Sequence, residues 1–154
     1  MNTKDYIFIN KSTYDVVAYE SYGRQLQRSG SIRQLIARYI CCLELGYGPG
    51  PYSLLELGPG AGVAILTLTQ AGYEVTAIEL SGQTALLAQQ TAPRAKVITG
   101  EFLSFDFGKE RFDGICAIAF IHLFPQVDAV RVLQKIHCYD QMESYFFQRR
   151  STTS

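Results

Sequence analysis

A glycine-rich turn at residues 58–62, with the sequence GPGAG, separates two apolar segments of different character. The run from Ser53 to Leu57 before it is short and apolar, which is typical of a buried parallel strand. The run from Val63 to Ala71 after it is helical and ends at Gly72, a residue that favours helix C-termini. Glycines let the backbone turn tightly and approach a ligand without an intervening side chain. Because ligands of parallel sheets bind beyond the carboxyl ends of the strands, the turn predicts a ligand site there.

The rest of the chain continues this alternation of strands and helices. An α/β fold is therefore expected, a Rossmann-like parallel sheet with helices on both faces. Residues 1–30 are polar and rich in tyrosine and show no sustained period, whereas a helix with Ser31 as its N-cap is predicted to follow and to end at Gly46. The further predicted elements are strands at 75–80, 96–99 and 112–119, a helix from Ser81 to about Gln90, and a helix from Asp128 to Ile136.

Length and composition indicate one domain over residues 1–154, made of an N-terminal lid or helical segment (1–47), a cofactor-binding core (50–137) and an atypical tail (138–154). Fourteen basic residues balance fourteen acidic ones, so the clustered positive charge of a nucleic-acid binder is not expected. The four cysteines lack metal-ligand spacing, and we expect no metal and buried, reduced thiols. No apolar stretch has the length of a membrane span, and the predicted location is cytoplasmic.

Two acidic residues narrow the class of ligand. Glu79 closes the second predicted strand, where a carboxylate can accept hydrogen bonds from both hydroxyls of a ribose. Glu56 lies two residues before Gly58, and a buried carboxylate there needs donors, which a ligand's ammonium group or backbone amides would supply. An NAD(P)-dependent oxidoreductase is the less favoured alternative, because the third glycine comes one residue early, at Gly62, and Glu56 would repel a pyrophosphate.

At this point the sequence resembles the class I S-adenosylmethionine (SAM)-dependent methyltransferases of the small-molecule type. Residues 54–62 resemble the family's first motif, and residues 71–81 resemble its second-strand motif. Gly100-Glu101-Phe102 stands where the family has Gly-Asp and an apolar residue, and residues 112–123 are similar to the fourth-strand motif. The resemblance covers roughly residues 50–137 and implies SAM as the cofactor and a small-molecule methyl acceptor.

The resemblance also implies roles for individual residues. Glu79 would bind the ribose, Glu101 would accept from the adenine amino group, and Phe102 would pack on the adenine ring. The end of the fourth strand, at Ala119, would border the transferable methyl group. His122 follows that strand and is either a general base or a histidine that hydrogen-bonds the backbone at a helix entry. Tyr14 is either a tyrosine of a lid helix over the cofactor or part of a surface helix. The expected cofactor-binding residues are Glu56, Gly58, Gly60, Gly62, Glu79, Leu80, Glu101, Phe102, Ala119 and Tyr14.

The segment after residue 137 departs from the family pattern. It lacks the expected glycines; residues 144–148 would supply a fifth strand, and strands 6 and 7 of the methyltransferase fold would be missing. An open sheet edge would then favour a homo-oligomer. Two interpretations follow: an active small-molecule methyltransferase, or a truncated domain that binds the cofactor only or has no activity.

Overall fold

The structure is a computed structural model that describes residues 3–141. Within that range four parallel strands form one sheet in the order β3-β2-β1-β4. The predicted fold class, a Rossmann-like parallel sheet, is confirmed. The strands are β1 Ser53–Leu57, β2 Glu74–Glu79, β3 Lys96–Thr99 and β4 Gly114–Cys116, and the helices are α1 Thr3–Gln27, α2 Ser29–Tyr47, α3 Val63–Gln70, α4 Gly82–Thr91 and α5 Gln126–Tyr139, with a 3₁₀ turn at Ile121–Leu123.

The central strand β1 divides the core into two apolar clusters, one on each face of the sheet. Leu54 lies in the cluster that also contains Ile36 of α2, Ile65 of α3 and Ala88 of α4. Alternate side chains of β1 point to the other face, where Leu55 and Leu57 pack with Val132 of α5 and with aromatic residues of the segment between β3 and β4. Helices therefore cover both faces, as expected, and the carboxyl ends of the strands are left as the open edge of the core.

Several local predictions are confirmed because their signals depend on neighbouring residues. Strands β1 and β3 have the predicted bounds. The Ser81 hydroxyl accepts from the Thr84 backbone N–H at 3.1 Å, so Ser81 caps α4 as predicted. Two carboxylates outside the predicted site, Asp113 and Asp106, accept backbone N–H groups of Ser53 and Gly108, at 2.8 and 2.7 Å. These two carboxylates stabilise a strand start and a turn.

The fourth strand is shorter than predicted, 114–116 instead of 112–119. Its last pairing joins Cys116 to Glu56 of β1. Beyond that point β1 has only Leu57 left before it turns into the glycine loop, so the later residues of the apolar run have no strand to pair with. They line the edge of the cleft instead, and Ala119 takes a left-handed backbone conformation with φ +52°.

The N-terminal segment is helical, as the expected lid helix implied, but the bounds of its helices differ from those that the residues predicted. Residues 3–27 form one long helix, although they lack a sustained apolar period. Its apolar burial is sparse, with Tyr6 and Ala18 the buried apolar side chains from 5 to 27, and two i,i+4 ion pairs, Lys11–Asp15 and Glu20–Arg24, lie on its surface. The predicted N-cap at Ser31 is wrong: α2 begins at Ser29, and the Arg28 N–H already bonds to carbonyls of α1.

The C-terminal helix is longer than predicted, 126–139 instead of 128–136. After it the chain returns to the sheet, since Phe112 forms a parallel bridge with Asp140 beside β4. The predicted fifth strand at 144–148 lies outside the described residues. Among the described helices none is long and apolar enough to cross a membrane. The expectation of buried thiols is wrong for Cys41, Cys42 and Cys138, which are exposed at helix surfaces; Cys116 is buried.

The glycine loop gives a test of the packing between α3 and α4. Gly62 has φ +80°, and a Cβ there would lie 2.9 Å from the Ala88 carbonyl oxygen. Gly72 has φ +96°, but a Cβ there meets nothing within 4 Å. We expect Gly72→Ala to lower the free energy of unfolding by roughly 1–2 kcal/mol, the cost of a left-handed alanine. Gly62→Ala should cost about 1–3 kcal/mol more, because backbone must move.

Urea denaturation of the two variants and the unsubstituted chain measures the difference. Equal losses of stability in the two variants would contradict the assignment of Gly62 to helix packing.

Candidate functional site

A cavity of about 230 Å³ lies where the strands end, between the glycine loop, the segment after β4 and helix α1. Nine of the residues predicted for the site line it together. They come from five separate segments of the sequence, which the parallel sheet brings to one edge. They are Tyr14, Gly58, Gly60, Glu79, Leu80, Glu101, Phe102, Ala119 and His122.

The glycine loop turns sharply at the end of β1. Gly58 and Gly60 have φ values of +67° and +53°, in the left-handed region that favours glycine. The Gly58 N–H donates to the Ile78 carbonyl of β2 at 2.9 Å, which fixes the start of the loop. A Cβ at Gly58 would lie 2.9 Å from the Phe120 ring, so the loop and the segment after β4 approach each other closely.

Glu79 lies where β2 meets the glycine loop. The side chain is buried, and its Oε1 accepts from the Ser81 N–H at 3.2 Å while Oε2 accepts from the Gly60 N–H at 3.4 Å. Burial raises the pKa of Glu79, and the backbone N–H groups partly offset the effect. The carboxylate is thus held at the cavity wall, with lone pairs left for a ligand's hydroxyl groups.

Glu56 is in a different environment, although it is only two residues from the loop. It is 1% exposed and lines a second cavity, of about 330 Å³, with Arg28 and Ser31. The Cys116 thiol hydrogen-bonds to it, while Oε2 is buried without a hydrogen-bond partner among the described residues. Burial raises the pKa of Glu56 to about 8. A buried acid with a free oxygen favours an added donor or cation beside it.

Glu101 and Phe102 line the first cavity in different ways. Both oxygens of Glu101 accept backbone N–H groups, from Leu103 at 2.8 Å and from Ser104 at 2.7 Å, so the carboxylate holds its own turn. Phe102 is buried and packs edge to face with Phe120, with the Lys135 ammonium 5.2 Å from its ring centroid. The turn is therefore held by hydrogen bonds of its own carboxylate and by the packing of Phe102.

Helix α1 covers the cavity and is fastened to the strand ends by side-chain hydrogen bonds. The Ser81 hydroxyl donates to Asp15 Oδ1 at 2.6 Å, and the Tyr22 and Thr91 hydroxyls lie 3.0 Å apart. Hydrogen bonds from Lys11 and Ser81 lower the pKa of Asp15.

Two further candidate residues line the cavity, one on the cover itself and one on the segment after β4. Tyr14 is half-buried at the cavity, where burial and, to a smaller extent, the charge of Glu79 raise its pKa. His122 is exposed in the 3₁₀ turn, whose Leu123 carbonyl accepts from the Asn10 amide of α1 at 3.4 Å.

Two predicted site residues are not at the first cavity. Glu56 lines the second one, as described above, and Gly62 packs against Ala88 of α4. Gln25 is among the lining residues that were not predicted from the sequence. Gln25 of α1 reaches the glycine loop, where its Oε1 accepts from the Ala61 N–H at 2.6 Å. Nothing in the sequence indicates this contact, because the segment around Gln25 has no recognisable period.

Part of this sequence matches proteins that are already known. The family model described as "Methyltransferase domain" matches residues 54–139, which include β1, the glycine loop and α5. The chain belongs to this methyltransferase domain family. An uncharacterized methyltransferase of Alkaliphilus oremlandii (strain OhILAs) is 35% identical over 69 residues, which are 45% of this chain and 32% of that protein. The match therefore spans about a third of the relative's length.

Solved structures share the fold of this methyltransferase domain. Magnesium protoporphyrin IX methyltransferase from Synechocystis PCC 6803 with bound SAM has a TM-score of 0.72 at 15% identity, covering 92% of this chain and 75% of that one. Burkholderia thailandensis 1,6-didemethyltoxoflavin-N1-methyltransferase, with bound 1,6-didemethyltoxoflavin and S-adenosylhomocysteine, has a TM-score of 0.69 at 22% identity, covering 91% of this chain and 60% of that one. These likenesses show the fold.

The raised pKa of Glu56 predicts a pH-dependent stability of the methyltransferase domain. Between pH 5 and 8 the unfolded chain releases a proton that folded Glu56 retains, so the free energy of unfolding should fall as the pH rises, by about 1 kcal/mol per pH unit. Glu56→Gln should remove most of this slope, leaving the smaller contribution of Glu79, whose pKa is also raised. Urea denaturation at several pH values measures it.

Glu74→Gln is the matched control, because Glu74 is exposed at the other end of β2. It should keep the original slope. The same slope in Glu56→Gln as in the unsubstituted protein would show that Glu56 is ionised in the folded state.

Proposed function

We propose that this domain transfers a methyl group from SAM to a small-molecule acceptor. The observation that carries the proposal is Glu56, an almost fully buried acid with an unpartnered oxygen beside the glycine loop. A cationic ammonium group beside that oxygen would favour the ionised form of Glu56 and pair with it, whereas a pyrophosphate there would disfavour ionisation and form no ion pair. SAM carries an ammonium group and no phosphate, which favours it over a nicotinamide dinucleotide. Family membership and the SAM-bound neighbour support the same ligand.

The two cavities suit the two ends of such a cofactor. In the first cavity Glu79 would accept the ribose hydroxyls, Leu80 and Phe102 would contact the adenine, and Glu101 would accept from its amino group. In the second cavity Glu56 would pair with the ammonium group of the amino-acid end. Gly58 and Ala119 line both cavities, and thus mark the place between the two ends.

The acceptor would enter beside the 3₁₀ turn, beneath α1. SAM supplies a methyl carbon activated by its sulfonium, and the protein's task is to align the acceptor and exclude water. His122 lines the cavity there and would take the proton that a hydroxyl or amine acceptor loses as its bond to the methyl group forms. Tyr14 would cover the cofactor from α1. The neighbours named for small-molecule substrates support an acceptor of that size.

We also propose a cellular location and an oligomeric state for the protein. Cys41, Cys42 and Cys138 are exposed free thiols, and such thiols persist in reducing compartments, which favours the cytoplasm. The open edge expected where strands 6 and 7 are missing lies beyond the described residues. In the described part of the chain β3 pairs only with β2, so the opposite edge of the sheet is also open to a second copy.

Calorimetric titration with SAM, S-adenosylhomocysteine and NAD tests the cofactor. We expect binding of the first two and not of NAD. Glu79→Ala should weaken S-adenosylhomocysteine binding at least about tenfold, since hydrogen bonds to a charged acceptor would be lost. Glu74→Ala, on the same strand but exposed, should bind like the unsubstituted protein. NAD binding alone would indicate an oxidoreductase, and unchanged affinity in Glu79→Ala would contradict the ribose assignment.

The position of His122 is tested by side-chain NMR, because the chain has only two histidines. Addition of SAM at fixed pH should shift the imidazole resonances of His122 and leave those of His137, which is exposed on α5, unchanged. A His137→Gln variant assigns the two signals. A bound sample in which neither histidine shifts would place the methyl group away from His122.

A further inference from the structure

Gln25 occupies the part of the glycine loop that faces the cleft. Its Oε1 accepts from the Ala61 N–H at 2.6 Å, and the same carboxamide fills the space above Gly60. A Cβ built on Gly60 would lie 2.3 Å from Oε1 and 2.4 Å from Nε2 of Gln25. Since glycine at this position lets a ligand approach the backbone closely, the side chain of Gln25 stands where such a ligand would lie.

The same side chain lies between the two cavities. Gln25 lines the first cavity together with Glu79 and the second together with Glu56. Gly58, Ile118 and Ala119 also line both, so the cavities are neighbouring parts of one cleft. Gln25 therefore lies on the border that a ligand extending from Glu79 to Glu56 would cross.

The way in which α1 is attached allows the side chain of Gln25 to move. From residue 5 to 27 the helix buries two apolar side chains, Tyr6 and Ala18, and hydrogen bonds such as Ser81 to Asp15 and Tyr22 to Thr91 also hold it over the cleft. Gln25 itself is only partly buried and has three rotatable side-chain bonds. Its carboxamide can therefore leave the loop for water without unfolding of α1, in exchange for one hydrogen bond of modest net strength.

We propose that Gln25 is a latch, which occupies the Ala61 N–H and the space above Gly60 in the free protein and must swing away when the cofactor binds. The ligand assignment rests on the proposed function. The latch competes with the cofactor for the loop and so lowers the apparent affinity, as any free-state contact that must be broken on binding does. Its release opens one continuous cleft from Glu79 to Glu56.

Two shortened variants, Gln25→Ala and Gln25→Ser, test the latch, with Gln27→Ala as the matched control on the exposed end of α1. Removal of one competing hydrogen bond should tighten S-adenosylhomocysteine binding about three- to tenfold in both Gln25 variants. Most of the gain should be a faster association rate in stopped-flow measurements. Gln27→Ala should leave the dissociation constant and the association rate unchanged.

Hydrogen exchange of the Ala61 amide in the ligand-free protein is the second measurement. This amide should exchange faster in the Gln25 variants than in the unsubstituted protein and in Gln27→Ala. Weaker binding in the Gln25 variants would show that Gln25 is a ligand contact and overturn the latch. Unchanged binding or unchanged Ala61 exchange would overturn it too. Failure of every variant, and of the unsubstituted protein, to bind S-adenosylhomocysteine would instead refute the proposed function on which the ligand assignment rests.

Discussion

The turn that ends strand β1 decides most of the site's geometry. After Leu57 the chain passes through three glycines in the left-handed region, Gly58, Gly60 and Gly62, before α3 begins. Each of the three has a different neighbour, and a Cβ at any of them would collide with Phe120, Gln25 or Ala88. The loop is thus packed on several sides at once. It also removes the pairing partner that β4 would need beyond Cys116, so the segment after β4 is free to line the cleft.

Two acids beside this loop are placed in opposite surroundings. Glu79 receives two backbone N–H groups and lies at the wall of the first cavity. Glu56 has a thiol as its neighbour and an oxygen without a partner, and burial raises its pKa to about 8. Burial raises the pKa of both acids, but backbone amides partly offset this effect at Glu79, whereas Glu56 has the Cys116 thiol in their place. One end of the cleft is therefore suited to accept hydrogen bonds from hydroxyl groups, and the other is suited to receive a cation.

The features of the fold and the site that could be predicted are those marked by a pattern of a few adjacent residues. The strand before the glycines, the cap at Ser81 and the acid at the end of β2 each depend on a few adjacent residues, and their positions were predicted correctly. An N-terminal helix around Tyr14 was expected from the resemblance, but the bounds of α1 were not predicted, because a helix that buries few apolar side chains has no apolar period to reveal it. Gln25 and the packing role of Gly62 depend on residues far away in the sequence, Ala61 and Ala88, and no spacing rule connects them.

Helix α1, which covers the cavity, is held by groups that also belong to the elements around the cleft. The Ser81 hydroxyl, which caps α4, also holds Asp15 of α1, and the Ala61 N–H of the glycine loop holds Gln25. Of these two groups, the Ala61 N–H belongs to the glycine loop, so Gln25 is the contact of α1 that a ligand on that loop would displace. A contact made by one side-chain hydrogen bond is exchanged at small cost, whereas the exchange of a buried apolar face would cost more. The weak amphipathicity that conceals α1 in the sequence therefore accompanies an attachment that suits the proposed exchange of Gln25 for the cofactor.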